Sequence, residues 1–188
     1  MSYTLEQGKK LIKLAKDAVY SNITSTDEFK EKRGVFVNLH TYPEKALRGC
    51  IGFPEPVLPL GQAVIESAKE AAYHDNRFSP LNKKEKVIFE VSILTTPKII
   101  KVKDSKEYLK KIKIGRDGLI AEIKPFRGLL LPQVPLEHNM DVEEFLNQTC
   151  LKAGLLEDSW KSKECKISSF QSQIFYEQEP NGKIIEKQ

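Results

Sequence analysis

Apolar and polar residues follow two different periods along the first half of the chain. Residues 4–21 place Leu, Ile, Ala and Val at the three- and four-residue spacing of an amphipathic helix, with lysines between them. Residues 34–42 are rich in β-branched and aromatic side chains, and residues 47–52 follow after a short turn, which predicts an antiparallel hairpin. Residues 60–73 return to the helical period, and their alanine-rich stripe predicts close packing on a sheet.

The second half of the chain continues this mixture of strands and helices. Residues 87–94 form the most strand-like segment and are apolar enough to lie in the centre of a sheet. Residues 111–123 predict a hairpin that turns at Asp117–Gly118. Residues 141–154 predict a capped helix, and residues 166–177 a single closing strand. Because most neighbouring strands predict hairpins, we expect the α+β class, with mainly antiparallel sheets rather than a doubly wound parallel sheet.

Composition and charge limit the classes of function that such a fold can serve. The 188 residues, 40% of them hydrophobic, suffice for a well-packed core. The formal net charge is +4, but lysines and glutamates are interspersed along the chain. This pattern is typical of a solvated surface rather than of the basic stripe of a nucleic-acid-binding protein. Nucleic-acid binding is therefore the least favoured function.

The cysteines and the lack of long apolar segments predict where the protein resides. Cys50, Cys150 and Cys165 are odd in number and far apart, so they are no disulfide framework. The sequence has neither a run of about 18 apolar residues nor a signal peptide, and we expect a cytoplasmic protein without membrane contact. It also lacks C-x-x-C and H-E-x-x-H spacings, so we predict no metal site and no cofactor.

The segment LRGCIG, residues 47–52, sets an arginine and a cysteine among glycines, which is unusual for a strand. Since side chains alternate across a strand, Leu47 and Ile51 are expected in the core, and Arg48 and Cys50 are expected to share the opposite face. A guanidinium beside Cys50 would favour the thiolate, which is the nucleophilic form. The two glycines would let either another backbone or a ligand come close.

Three further polar residues, His74, Asp75 and Arg77, follow the second predicted helix and are expected near the same sheet. We predict that Asp75 pairs with Arg48 and that Arg77 offers a second guanidinium fork to an anion. His74 is then placed to form a nucleophile pair with Cys50. The alternative is that Arg48 and Asp75 form a buried structural ion pair and that Cys50 is an inert, packed side chain.

Six segments, in a fixed order along the chain, resemble a known family. They are RGVFV, LRGCIG, AAYHDNRFSPL, VSIL, GLLLPQV and FLNQTCLKAGL. Together they resemble the AMMECR family, named from the chromosomal region of Alport syndrome, mental retardation, midface hypoplasia and elliptocytosis. The resemblance extends from about Leu5 to Tyr176. The chain departs from the family pattern at Asn76, where a proline is usual, and at Met140, where a tryptophan is expected.

The resemblance implies a larger and a smaller α+β subdomain with a cleft between them. We assign residues 1–96 and 162–188 to the larger subdomain and residues 97–161 to the smaller one. Gln133, in the smaller subdomain, is expected to add a polar contact to the site. The predicted catalytic residue is Cys50, and the predicted binding residues are Arg48, Gly49, Gly52, His74, Asp75, Arg77 and Gln133.

The resemblance implies no established reaction, so three functions stay open. The first, slightly favoured, is an enzyme with a cleft lined by the LRGCIG strand. The second is a non-catalytic binding or regulatory module that acts with protein partners, and the third is nucleic-acid binding. The expected partner is an unidentified small molecule or a protein, and genomic association points to Memo-like and radical-SAM proteins.

Overall fold

The computed structural model describes residues 2–82 and 84–187, and the chain divides into two compact units. The first unit comprises Met1–Leu94 and Gln173–Gln188, and the second comprises Thr95–Ser172. Each unit combines one sheet with helices, and the α+β class with mainly antiparallel pairing is confirmed. Within the described residues, no helix has both the length and the apolar character needed to span a membrane.

Helices and strands are interspersed along the chain, with short 3-10 turns at Ser105–Glu107 and Glu157–Lys161. In chain order the elements are α1 (Leu5–Tyr20), β1 (Val35–Thr41), β2 (Leu47–Phe53), α2 (Leu60–Tyr73), β3 (Val87–Leu94), β4 (Lys98–Ile99), α3 (Tyr108–Lys111), β5 (Gly118–Ile123), β6 (Phe126–Leu130), α4 (Val134–Glu137), α5 (Val142–Lys152), β7 (Lys166–Phe170), β8 (Ser172–Glu177) and β9 (Ile184–Lys187).

The first unit is a five-stranded sheet in the order β2-β1-β3-β8-β9, against which α1 and α2 pack. A capping box starts α1, because the Thr4 side chain accepts the backbone N–H of Gln7 while the Gln7 side chain accepts that of Thr4. All eight residues of β3 are buried, in keeping with the central position that their apolar run predicts. Val37 and Val91 pair directly across β1 and β3 and belong to the core that α1 and α2 cover.

The second unit has its own sheet, in the order β4-β7-β5-β6, and its own core. Helix α5 packs on β5 and β6 and begins where the Asp141 carboxylate accepts the backbone N–H of Glu144 at 2.8 Å. Leu119, Phe145 and Trp160 are buried at the centre of this core. Two sheets with separate apolar clusters therefore account for the two units.

Three predictions differ from the structure in this region. Residues 166–177 form two strands, because β7 joins the sheet of the second unit and β8 joins that of the first. Since β7 pairs with β5, residues 162–172 lie in the second unit and not in the larger subdomain to which we assigned them. The predicted hairpin at Asp117–Gly118 is absent from the described residues, because β5 begins at Gly118 and the Asp117 carboxylate accepts the Lys113 N–H instead.

Candidate functional site

Strand β2 contains a bulge that changes the predicted alternation of LRGCIG. Leu39 of β1 lies opposite Gly49, whereas the next residue, His40, lies opposite Leu47, so that Arg48 has no opposite residue. An extra residue in one strand bends it and shifts the side chains that follow. Leu47 is 41% exposed as a result, and the prediction that it packs in the core is wrong. Ile51 is half-buried against the core, as predicted.

The Arg48 guanidinium forms a two-pronged ion pair with Glu85. Its Nε donates to Glu85 Oε2 at 2.7 Å and its Nη2 to Glu85 Oε1 at 3.1 Å, and Nη2 also donates to the Ser79 carbonyl at 2.9 Å. The pair lowers the pKa of Glu85 below its usual value. The buried-ion-pair interpretation of Arg48 is therefore the better one, but the predicted partner, Asp75, is wrong.

Asp75 and Arg77 instead cap the free edge of β2. The Asp75 carboxylate accepts the backbone N–H of Cys50 at 2.9 Å, and Arg77 Nη2 donates to the Cys50 carbonyl at 3.2 Å. The two side chains also pair with each other at 2.9 and 2.7 Å. The hydrogen bond from Arg77 holds the pKa of buried Asp75 at about 2. The loop after α2 thus satisfies backbone groups of an edge strand that would otherwise lack a neighbour.

The two glycines of the segment make room for backbone. A Cβ at Gly49 would lie 2.1 Å from the carbonyl oxygen of Ala71 in α2, and a Cβ at Gly52 would lie 2.3 Å from the carbonyl oxygen of Val35 in β1. The sequence left open whether these glycines admit another backbone or a ligand. At both positions the structure shows the close approach of another backbone. Gly49 in particular lets α2 pack closely on the sheet.

His74 lies away from Cys50 in the contacts that the structure describes, and Gln133 belongs to the second unit. His74 ends α2 with its side chain 64% exposed, and its Nδ1 lies 3.0 Å from Glu70 Oε1. Among the described residues no hydrogen bond joins it to Cys50, so the predicted nucleophile pair is not formed. Gln133 directly precedes α4 in the second unit, and its role stays a prediction.

The Cys50 side chain is half-buried, with Arg77 beside it. Burial raises the pKa of the thiol, and this effect outweighs the lowering by the nearby guanidinium. The surroundings of Cys50 therefore favour the neutral thiol over the thiolate that the sequence predicted, because the loss of solvation on burial outweighs the attraction of the guanidinium.

Cys50 is the first member of a row of polar side chains that crosses three strands. Asn38 of β1 pairs directly with Cys50 on one side and with Glu90 of β3 on the other, so these side chains share one face of the sheet. The Asn38 Nδ2 donates to Glu90 Oε1 at 2.7 Å. Asn38 is 7% exposed and Glu90 is 9% exposed. Asn38 and Glu90 are thus buried hydrogen-bonding groups. They lie on the side of the sheet opposite to Val37 and Val91, which face the core.

Two neighbours extend this row into a larger group, which we call the polar face: His40, Asn38, Cys50, Glu90 and Ser92. Three of its buried atoms, Asn38 Oδ1, His40 Nε2 and Ser92 Oγ, have no hydrogen-bond partner in the part of the chain that the structure describes. Buried polar atoms in folded proteins nearly always have a partner. The described residues bring no three His, Cys, Asp or Glu side chains close enough to hold a metal ion.

Sequence reasoning missed the polar face, although a signal for it was present. Asn38 and His40 alternate with the apolar residues Val37 and Leu39 of β1, and Glu90 and Ser92 interrupt an otherwise apolar β3. Polar residues at every second position of a buried strand indicate a second face with its own chemistry. The sequence does not tell which strands are neighbours, and without that the two patterns do not combine into a site.

The fold and this face define an α+β protein whose first unit carries the LRGCIG segment on an edge strand, next to a row of buried polar side chains. The chain belongs to the AMMECR1 family, whose family model matches residues 5–175. The resemblance found in the six ordered segments is thereby confirmed.

Similar proteins cover nearly the whole chain. Protein MJ0810 from Methanocaldococcus jannaschii is 51% identical over 194 residues, which cover 98% of this chain and 96% of that protein. Protein MK0488 from Methanopyrus kandleri is 47% identical, with 98% and 95% coverage. The crystal structure of uncharacterized protein PH0010 from Pyrococcus horikoshii has a TM-score of 0.86 and 43% identity, with 97% of each chain covered. None of these names states a reaction or a ligand.

Proposed function

We propose that this protein binds a small polar molecule on the polar face. What carries the proposal is the set of three buried atoms without a partner, Asn38 Oδ1, His40 Nε2 and Ser92 Oγ. Each buried polar group left without a hydrogen bond costs about 1–3 kcal/mol. Several such groups on one face lower the stability of the fold. Proteins typically keep this arrangement where a ligand supplies the missing hydrogen bonds.

Binding is favoured over catalysis because the groups predicted to activate Cys50 are engaged elsewhere. Arg48 pairs with Glu85, Asp75 holds the β2 backbone, and His74 is exposed. The pKa of the Cys50 thiol is raised by burial, so the nucleophilic thiolate is scarce at neutral pH. Recognition by hydrogen bonds is therefore the chemistry that the polar face performs best.

A cysteine-dependent reaction on the same bound molecule is the second candidate. The observation in its favour is the Arg77 guanidinium beside Cys50, which acts to lower the pKa of the thiol. Cys50→Ser separates the two functions. A binding protein keeps its affinity within about threefold, because a hydroxyl replaces the thiol. Consumption of the bound molecule by the native protein and not by Cys50→Ser would instead establish the reaction.

Cooperation with protein partners, among them Memo-like and radical-SAM proteins, stays a prediction from the family resemblance. Recognition of a ligand is compatible with such cooperation, because a protein that binds a small molecule can pass that signal on to a protein partner. Nucleic-acid binding remains the least favoured function, because lysines and glutamates are interspersed along the chain and form no basic stripe.

The test of binding is nuclear magnetic resonance of the isotope-labelled protein with small carboxylates, amides, polyols, amines and guanidines. At least one of these classes is expected to shift the backbone amide signals of Asn38, Cys50 and Glu90 in a saturable way. Ser92→Ala is expected to weaken that binding about fivefold, which corresponds to one lost hydrogen bond. Shifts spread over the whole surface, or none with any class, would refute the proposal.

Ser67→Ala is the matched control. Ser67 and Ser92 are both buried, at 0% and 1% exposure, and both hydroxyls lack a partner among the described residues. Ser67 lies in α2, however, whereas Ser92 lies on the polar face. Equal loss of binding in the two variants would therefore point to a general effect on the fold and against the polar face as the site.

A further inference from the structure

Glu90 places a carboxylate on the polar face without a cation to balance it. Its described hydrogen bond is the one from Asn38, which is a neutral amide. The two arginines of the site are engaged with other carboxylates: Arg48 with Glu85 and Arg77 with Asp75. Among the described residues, no Lys, Arg or His forms an ion pair with Glu90. A buried carboxylate in this situation is best stabilised by a positive charge from outside the chain.

The orientation of the Asn38 amide adds a second acceptor at the same place. Only the NH₂ end of the amide can donate to the Glu90 carboxylate, so the hydrogen bond of 2.7 Å determines which end is which. The carbonyl end, Oδ1, is then turned away from Glu90, and it is buried without a partner in the described chain. It accepts hydrogen bonds and cannot donate them.

The Ser92 hydroxyl supplies a third oxygen on this face. It lies two residues after Glu90 on β3, so its side chain points to the same side of the sheet. Its Oγ is buried without a partner among the described residues. A carboxylate, an amide oxygen and a hydroxyl together form a set rich in acceptors, which matches a group that carries several N–H donors.

We propose that the ligand of the polar face carries a cationic nitrogen group, an ammonium or a guanidinium, which donates to the Glu90 carboxylate and to the Asn38 Oδ1. The inference rests on the proposed binding function and adds the chemical class of the ligand. An ammonium offers three donors and a guanidinium five, and both bring the charge that Glu90 lacks. Anions are disfavoured, because they would meet the same carboxylate without compensation.

The row also indicates where the rest of the ligand lies. Cys50, Asn38 and Glu90 are direct neighbours on three adjacent strands. With about 5 Å between strands, the Glu90 end of the row is about 10 Å from the Cys50 end. A molecule about 10 Å long that was bound through its cation at Glu90 and lay along the row would reach the Cys50 thiol with its other end.

The experiment measures the affinity of four probes that share one propyl chain: propylammonium, propylguanidinium, butyramide and butyrate. We expect the two cations to bind at least about tenfold more tightly than the amide and the anion, as charge-assisted hydrogen bonds are stronger than neutral ones. In Glu90→Gln the preference for cations is expected to disappear, while the Gln oxygen still accepts the Asn38 N–H and keeps the fold. Glu66→Gln, a carboxylate on α2, is the control and keeps the preference.

The possible outcomes separate this inference from the proposed function. Tighter binding of either cation, lost in Glu90→Gln, supports both, and the ratio of the two cations tells whether the site prefers an ammonium or a guanidinium. Binding of the amide or of butyrate at least as tight as that of the cations overturns the cation inference and leaves the binding function standing. If no probe shifts the signals of Asn38, Cys50 and Glu90, the inference is wrong, and if polyols do not shift them either, the proposed function is wrong as well.

Discussion

Arg48 and Cys50 stand two positions apart in the same strand, yet their side chains serve different ends. The bulge at Arg48 directs its guanidinium to Glu85 and to the Ser79 carbonyl, where every contact stabilises the fold. Cys50, after the bulge, returns to the regular register and lies beside Asn38 on the polar face. An extra residue in the strand thus separates the structural role of Arg48 from the binding role that we propose for the face of Cys50.

The reactivity of Cys50 tests its environment directly. Alkylation of Cys50 by iodoacetamide at neutral pH is expected to be slower in the folded protein than in the protein unfolded in urea, because burial raises the pKa of the thiol. Mass spectrometry of the Cys50 peptide measures the rate separately from Cys150 and Cys165. A faster rate in the folded protein would show an activated thiolate and would favour the enzymatic function.

Gly49→Ala is expected to be strongly destabilising, by about 3 kcal/mol or more, because the new methyl group meets a helix backbone that cannot yield. The added Cβ would lie 2.1 Å from the Ala71 carbonyl oxygen. Denaturant unfolding measures the effect. The control is Cys50→Ala in the next position, which is expected to cost about 1 kcal/mol since the side chain is only half-buried. Equal stability of Gly49→Ala and the native protein would contradict the close packing of α2.

At the level of elements, β2 is an edge strand whose outer side is covered by side chains. Asp75 and Arg77 take the place of a neighbouring strand, since one accepts from the Cys50 N–H and the other donates to the Cys50 carbonyl. Both follow α2, and so the helix, the loop and the strand form one cooperative piece. This cover protects the edge from pairing with other chains.

Asp75→Asn is expected to lose stability in a pH-dependent way. The pKa of Asp75 is lowered in the folded protein from 3.8 to about 2, so its contribution is fully present above about pH 4 and is lost as the pH falls through about 2. At pH 7 the variant is expected to be about 2 kcal/mol less stable than the native protein. The difference between the two shrinks as the pH is lowered below 4.

Unfolding by urea at pH values from 7 down to 2 measures this difference. Asp27→Asn, at a side chain that is fully exposed, is the control and should follow the native curve throughout. A constant difference between the native protein and Asp75→Asn across the whole range would mean that ionised Asp75 does not hold the β2 edge.

At the scale of the whole molecule, charge is distributed in pairs rather than in patches. Lysines of α1 pair with nearby carboxylates, among them Lys9 with Glu6 and Lys13 with Asp17, and the net charge of +4 is spread over the whole chain. Pairs of opposite charge weaken the positive field along which a phosphate backbone would bind.

We therefore expect no binding to mixed single- or double-stranded oligonucleotides at protein concentrations of about 10 μM and moderate salt, in the range where nonspecific nucleic-acid-binding proteins bind. Fluorescence anisotropy of labelled oligonucleotides measures this, with the salt concentration varied. Affinity that falls steeply with added salt would be the signature of phosphate contacts and would restore nucleic-acid binding as a function.

Much of the fold is local and was accessible from the sequence. The hydrophobic periods locate α1, α2 and the strands β1–β3, because the side-chain spacing of a helix or strand depends only on residues a few positions apart. The cap at Asp141 is equally local. The motif LRGCIG likewise identifies the region of the candidate site and, with five other segments, the family.

Contacts between distant residues were decided by the tertiary structure alone. Arg48 pairs with Glu85 across 37 positions, and Asn38 with Glu90 across 52, and neither partner is implied by any local pattern. The bulge in β2 and the register between β1 and β3 determine these pairs. A shift of the strand register by one residue would turn each side chain to the other face of the sheet. By itself the sequence determined which residues carry chemistry. Only the folded sheet decided which of them meet, because strand neighbours are chosen by the packing of the whole core.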